Sequence, residues 1–348
     1  MVRKFRHFLE YLGAAAALSL ARALPPGALM AMARGMASLA FILLRRRRRV
    51  AIRNLMATGV AATEGEATRI ARRSFQSLSL SIAESVSVPA LLAGKDASRV
   101  KIKMEVPPET LAALGDASKG IILVSAHLGN WELAGKLCSN YKRVTGIARR
   151  MDNPLVQNLM DRRGIREGME TIDKHDAHPM KIVRVLRRHE MLAILVDQHA
   201  SGDAATIDFL GLPARSYTTP AVLQRLTGAP ILVGAAIRNG PLDFSFHMSE
   251  PLDYGLSKES TEADILRATQ DIADRLGAYI RRWPEQYLWA HRRWKAALGK
   301  ETSGMRHATC DKRQAASDMR QSTCDKRHAT CDNRQATIDK QQVAPETT

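Results

Sequence analysis

The sequence predicts an α/β protein with a mixed central sheet flanked by helices, behind membrane-anchoring helices at its N-terminus. Three observations predict it. From about residue 117, short apolar strand-like runs alternate with helical stretches. Ahead of them, two apolar runs lead into five consecutive arginines at 45–49. Beyond about 300 the chain becomes polar and repetitive. The division that follows is an apolar and polybasic segment at 1–49, an α/β domain at 50–298 and a repeat tail at 299–348.

The first apolar run covers 8–24 and contains Glu10 and Arg22; the second covers 28–44 and contains Arg34. Pro25, Pro26 and Gly27 separate them. Each is about 17 residues, the short end of what spans a bilayer. A basic start and Ala21-Arg22-Ala23 also suit a cleaved signal peptide, but the internal charges argue against it. The expectation is an uncleaved anchor, either one span or two helices lying in the interface. The polybasic block attracts anionic lipid and places the following chain on the cytoplasmic side. A nucleic-acid tail fits less well, because the arginines are flanked by apolar runs.

Helices are expected at 51–56 and at 64–93, the latter with Ile70, Phe75, Leu78, Ile82 and Val86 at three- and four-residue spacing. The run at 120–126 reads as a buried strand, and 131–139 as a helix. Further strands are expected at 144–148, 191–196, 230–237 and 243–248. Helices are expected between and after them, at 154–161, 179–188, 219–226 and 262–283.

Charge narrows the partners. Lys and Arg total 52 against 35 acidic residues, a formal +17, in a chain that is 45% hydrophobic. Such a balance favours a polyanion: nucleic acid, an anionic membrane or a phosphorylated substrate. With 5% aromatic residues and no stacking motif, nucleic acid is the weakest of the three. The cysteines are Cys138, Cys310, Cys324 and Cys331; no C-x-x-C pair suggests zinc or redox chemistry. From Arg306 the tail repeats every seven residues (RHATCDK, RQAASDM, RQSTCDK, RHATCDN, RQATIDK). No two repeat positions are consistently apolar, so a coiled coil is excluded and a coreless, low-complexity segment is expected.

The sharpest constellation is Ser125-Ala-His-Leu-Gly-Asn-Trp-Glu132, where a buried strand ends and a helix begins. Ligands of open α/β sheets gather beyond the carboxyl ends of strands. On one continuous helix His127 and Glu132 would stand about 140° apart and could not share a metal. With His127 in the turn and Glu132 on the helix they can converge, a carboxylate then fixing the imidazole as a base. A satisfied core histidine is the bland alternative. Ser125 lacks the G-x-S-x-G elbow of a nucleophile.

This H-x4-E block resembles that of the lysophospholipid acyltransferase superfamily, and within it the bacterial lipid A late acyltransferases, the lauroyl and myristoyl transferases. Gly146-Ile-Ala-Arg-Arg-Met-Asp-Asn-Pro154 is similar to the family's G-V-Y-R-P-x-x-N-P, with Ala148 and Arg150 in place of Tyr and Pro. Asp197-Gln198 with Phe209-Leu-Gly211 resembles its D-Q block and the loop after it. Thr218-Thr-Pro-Ala221 and Thr227-Gly-Ala-Pro230 match a later segment. Pro284-Glu-Gln-Tyr-Leu-Trp-Ala-His-Arg-Arg-Trp-Lys295 resembles the closing P-E-Q-W-x-W-x-H-R-R-W/F-K. The resemblance covers about residues 1–298; the repeat tail has no counterpart.

The resemblance implies a glycerophosphate-acyltransferase-like fold at the inner membrane, its active site on the cytoplasmic side. It implies transfer of a fatty acyl chain from a thioester, on acyl carrier protein or acyl-CoA, to a hydroxyl of a lipid A precursor, the reaction that builds lipopolysaccharide. No metal or organic cofactor is then required, since the thioester is already activated, and no nucleic acid is a partner. His127 would deprotonate the acceptor hydroxyl, supported by Glu132. Arg149, or alternatively Arg166, would stabilise the oxyanion or hold an acceptor phosphate. Asp197 would anchor one of these arginines or line the site. Asn130 would stand at the substrate in the turn it shapes. Trp289 and Trp294 suit either the lipid interface or the core. An acceptor among other glycolipids, aminolipids or lysophospholipids fits the same short motifs. A non-catalytic basic binder of membrane or nucleic acid is the rival of a different class.

Overall fold

The computed structural model describes residues 2–93, 97–161, 169–174, 178–202 and 204–299. Arg166 and the repeat tail from residue 300 onward, with its three cysteines, lie outside them.

Four helices come first: α1 (Val2–Ala23), α2 (Pro26–Leu43), α3 (Arg45–Ala57) and α4 (Glu64–Ala93). The break between α1 and α2 falls at the proline pair. Pro26 begins α2 at a position where its missing N–H costs nothing. Leu29, Met30, Ala33, Ala37 and Phe41 form the buried stripe of α2, which packs along α4. Phe41 meets Phe75 edge to face at 5.3 Å, and the Ser79 hydroxyl donates to the Ala33 carbonyl at 2.9 Å. The opposite side of α2 leaves Met36, Leu39, Ile42 and Leu43 exposed. Over its 18 residues α2 has a mean hydropathy of 1.4, long and apolar enough to cross a membrane by length and composition.

Strands β1 (Lys101–Glu105), β2 (Ile121–Ser125), β3 (Val144–Ala148), β4 (Met169–Asp173) and β5 (Met191–Leu195) are followed by a hairpin, β6 (Ala205–Phe209) and β7 (Leu212–Ser216). Then come β8 (Ile231–Gly240) and β9 (Asp243–Met248). Seven of them form a mixed sheet in the order β1-β9-β8-β2-β5-β3-β4. Only the β8–β9 pair is antiparallel, so β2, β3, β4, β5 and β8 present their carboxyl ends on one side. Every residue of the central strand β2 is buried, as its uninterrupted apolar run requires.

Helices α5 (Pro108–Gly115), α6 (Trp131–Cys138), α7 (Pro154–Asp161), α8 (Pro179–Arg187), α9 (Thr219–Thr227) and α10 (Glu262–Arg282) join and cover the strands. The helix α10 starts on a capping box of Thr261 and Asp264 and buries Ile265, Ile272, Leu276 and Ile280 on one face.

The edge strand β4 and the hairpin carry no clear strand signal, and β1 is a five-residue alternation of charged and apolar residues. An edge strand is covered on one side only, and Lys101, Lys103 and Glu105 of β1 occupy its open positions. The hairpin closes through Leu210 (φ 60°) and Gly211 (φ 88°), a turn the sequence does not announce because Leu rarely adopts it. Trp289 and Trp294 are core residues, 0% and 1% exposed and stacked at 6.1 Å, which excludes their lipid-interface reading. Cys138 is likewise a core side chain whose thiol burial pushes up to about 12.

Candidate active site

Parallel pairing brings the site together. Ser125 at the end of β2 is in register with Leu195 at the end of β5. Two residues beyond each end stand His127 and Asp197. Nδ1 of His127 lies 2.9 Å from an Asp197 carboxylate oxygen. A carboxylate only accepts, so Nδ1 carries the hydrogen and Nε2 keeps its lone pair. The Gln198 amide nitrogen approaches that Nε2 at 3.4 Å. The His127 side chain is 18% exposed while Asp197 is 2% exposed, so the acid lies beneath the imidazole and the imidazole keeps the contact with solvent.

Burial pushes the His127 pKa down, but the charge and hydrogen bond of Asp197, with the charge of Glu132, more than offset it; the net shift is upward. Burial pushes Asp197 up, and the His127 interaction outweighs it, holding the carboxylate below its usual value. The Tyr287 phenol, buried against this carboxylate, is raised well above its ordinary range, first by burial and then by the Asp197 charge.

The turn that presents His127 is built for close approach. Gly129 has φ +61°, and a Cβ there would sit 2.0 Å from the Ala236 carbonyl oxygen. Gly129→Ala is therefore expected to destabilise the protein by more than the ~1–2 kcal/mol of a left-handed backbone alone, read as a lowered thermal midpoint.

The structure distributes the expected roles differently. His127 Nδ1 donates to Asp197, and Glu132, in the first turn of α6, acts on the imidazole through its charge. Asp197, expected either to anchor an arginine or to line the site, pairs with His127, because register sets the two strand ends side by side. Asn130 is fully buried, with both ends of its amide engaged. Its oxygen caps α6 by accepting from the Leu133 N–H at 3.0 Å, and its nitrogen donates to Glu84 at 2.9 Å. Those contacts hold the turn rather than a substrate. Arg149, directly after β3, is exposed and ion-paired with Asp152 at 2.9 Å. Trp131 meets the His127 ring edge to face at 5.0 Å.

The closing segment wraps the same turn, which its spacing alone does not reveal. The Leu288 N–H donates to the His127 carbonyl at 3.0 Å and the Gly129 N–H to the Gln286 carbonyl at 3.1 Å. Arg293, 2% exposed, donates to the Gln198 carbonyl at 2.7 Å and stands over the Phe209 ring at 5.0 Å. From α3, Asn54 donates to the carbonyls of Trp289 and His291 at 2.9 and 2.8 Å. Sequence motifs flag each of these segments but not their convergence. Among the described residues, no group of three or more His, Cys, Asp or Glu is placed to hold a metal ion.

Residues 1–296 match the family model of the bacterial lipid A biosynthesis acyltransferases. Among curated proteins, the chain is 26% identical over 188 residues to a phosphatidylinositol mannoside acyltransferase of Mycobacterium tuberculosis, 53% of this chain and 57% of that protein. The match thus spans little more than half the length of that relative. It is 25% identical over 301 residues to the lipid A biosynthesis lauroyltransferase of Escherichia coli, 83% of this chain and 92% of that protein. With the palmitoleoyltransferase of lipid A biosynthesis of the same organism it shares 24% over 263 residues, 75% and 82% of the two chains.

Proposed function

This chain belongs to the bacterial lipid A biosynthesis acyltransferase family, and on that premise we propose that it moves a fatty acyl chain from an acyl thioester to a hydroxyl of a lipid A precursor. The observation that carries the reading is the His127–Asp197 pair, with the His127 side chain partly exposed beyond the carboxyl ends of β2 and β5. His127 takes the proton of the acceptor hydroxyl as its oxygen attacks the thioester carbonyl. The tetrahedral intermediate then expels the thiolate, which takes up the proton from the imidazolium. Asp197 holds the ring and stabilises the imidazolium, and Glu132 adds its charge. Arg149 meets the developing oxyanion or an acceptor phosphate after exchanging its exposed Asp152 partner. The donor is acyl carrier protein, an acidic partner for a chain of formal charge +17, with acyl-CoA the alternative.

The test is transfer from a labelled acyl-carrier-protein thioester, with acyl-CoA in parallel, to a lipid A precursor and to a phosphatidylinositol mannoside. Label in the first acceptor supports the proposal. Label only in the second keeps the chemistry and moves the acceptor, a reading favoured by the similarity to the mycobacterial relative. Label in neither, under conditions where a known transferase works, sinks both.

The proposed location is the cytoplasmic face of the inner membrane. The buried stripe of α2 faces protein, while Met36, Leu39, Ile42 and Leu43 face outward just ahead of the exposed Arg45, Arg46, Arg47 and Arg49. That arrangement suits a helix lying in the interface, where each basic residue near anionic lipid is worth about 1 kcal/mol. Sedimentation with anionic vesicles is expected to weaken at high salt and to be lost in Met36→Glu/Leu39→Glu. Binding that survives both high salt and the substitutions counts against the interfacial placement.

A further inference from the structure

Glu84 lies in the middle of α4, outside every motif that marks the site, and is 0% exposed. A buried carboxylate is retained only where its charge and lone pairs are met. Arg238 of β8 meets one side, its Nη2 donating to Glu84 Oε2 at 2.7 Å and its Nε to Oε1. Glu84 Oε2 also accepts from the Asn130 amide at 2.9 Å, so the ion pair reaches into the turn that carries His127.

The same arginine gathers the other supports of that turn. It donates to the hydroxyls of Ser77 and Ser81, each at 3.0 Å. Ser81 in turn donates to the Gly129 carbonyl at 2.8 Å. On the backbone, Arg238 exchanges two hydrogen bonds with the Gln286 side chain, its N–H to Oε1 at 3.0 Å and its carbonyl from Nε2 at 2.9 Å. The Gln286 carbonyl accepts from the Gly129 N–H, and the Ala236 carbonyl from the Asn130 N–H at 2.8 Å. The Glu84–Arg238 ion pair therefore joins α4, β8 and the turn after β2, and the Arg238 backbone adds the closing segment through Gln286.

Hydrophobic residues of similar volume commonly replace a buried ion pair without loss of stability. Packing alone thus does not call for this pair, whereas a fixed direction for the Asn130 amide does. We propose that Glu84, paired with Arg238, is a positioning residue of the reaction: it fixes the 127–130 turn through Asn130 and so aims His127 at the acceptor hydroxyl. This rests on the acyl-transfer reading above.

The decisive variant is Glu84→Leu/Arg238→Met, which removes the pair while keeping the interior filled. Its kcat is expected to fall roughly tenfold to a hundredfold through misplacement of the base. The KM values for donor and acceptor and the midpoint of the pH profile should stay at wild-type values, while the Asn130 amide, left without its acceptor, lowers the thermal midpoint. Wild-type kcat in this variant overturns the proposal, as does a shifted pH midpoint with an unchanged plateau. Should the double variant not fold, Glu84→Gln is compared with Glu84→Ala, per folded molecule. Glutamine keeps an acceptor for Asn130, so a higher kcat than alanine supports the proposal and equal values overturn it. Should the wild type transfer nothing, hydrogen exchange at the Gly129 and Asn130 amides separates the two questions. Faster exchange in the double variant supports the positioning role even if the acyl-transfer reading fails; unchanged exchange overturns it.

Discussion

His127→Ala is expected to lower acyl transfer by about a hundredfold to ten-thousandfold, the usual contribution of a positioned general base, at unchanged protein level. The expectation follows from three features. Nδ1 is committed to Asp197 at 2.9 Å, which leaves Nε2 as the basic nitrogen. The side chain is 18% exposed, enough to meet a ligand but too buried to be a solvated surface group. The turn beneath it is closed by Gly129, whose left-handed backbone lies against β8. Because alanine leaves the buried Asp197 carboxylate without its partner, the thermal midpoint should fall as well, so transfer is compared per folded molecule. Acceptor KM should be close to unchanged, since the base acts on the proton during attack. Transfer by the variant at the wild-type rate would remove His127 from the mechanism while leaving the family assignment in place.

Asp197→Asn should give a second large loss, about a thousandfold to ten-thousandfold by analogy with hydrolase triads in which an amide replaces the orienting carboxylate. Its pH signature is more telling than its size. The wild-type His127 has a pKa raised above the ordinary histidine value by the Asp197 carboxylate, so its basic form appears only above that raised value. With the carboxylate gone, burial acts against the imidazolium with only Glu132 opposing it. The acid limb of kcat/KM should therefore move to lower pH while the plateau falls. Stability carries the same sign. His127 stabilises the fold below its unfolded value, and that contribution is lost as pH rises through the raised folded value. Asp197 stabilises above its unfolded value of 3.8 and loses its contribution as pH falls through the lowered folded value. The stability gap between wild type and Asp197→Asn should accordingly be widest in mildly acidic solution and narrow at alkaline pH. An acid limb that stays in place would show that Asp197 does not set the titration of the base.

The strongly periodic and strongly apolar elements were legible in the sequence. The buried strand β2, the helix α4 and the amphipathic α10 follow from local patterning. Local pattern also placed His127 in a strand-to-helix turn and Glu132 on the helix. The partner of His127 was not legible in the same way. Asp197 is 70 residues away, and only the parallel register of β2 with β5 sets it beside the ring. The edge strands are easily passed over because they are short: β1 alternates charged and apolar residues over only five positions, and β4 breaks the alternation at Thr171 and Ile172.

By itself, the sequence determined the layered α/β class, the basic and apolar N-terminus and the strand-to-helix turn that carries His127. All of these depend on short-range pattern, composition or spacing within a few residues. Tertiary structure alone decided that Asp197 is the hydrogen-bond partner of His127, which groups hold Asn130 in its turn, that Trp289 and Trp294 belong to the core, and that Glu84 and Arg238 tie four segments together. The physical reason is common to all of them: burial, charge pairing and strand register are set by residues distant in the chain, and their energies exist only once the sheet has brought those residues into contact.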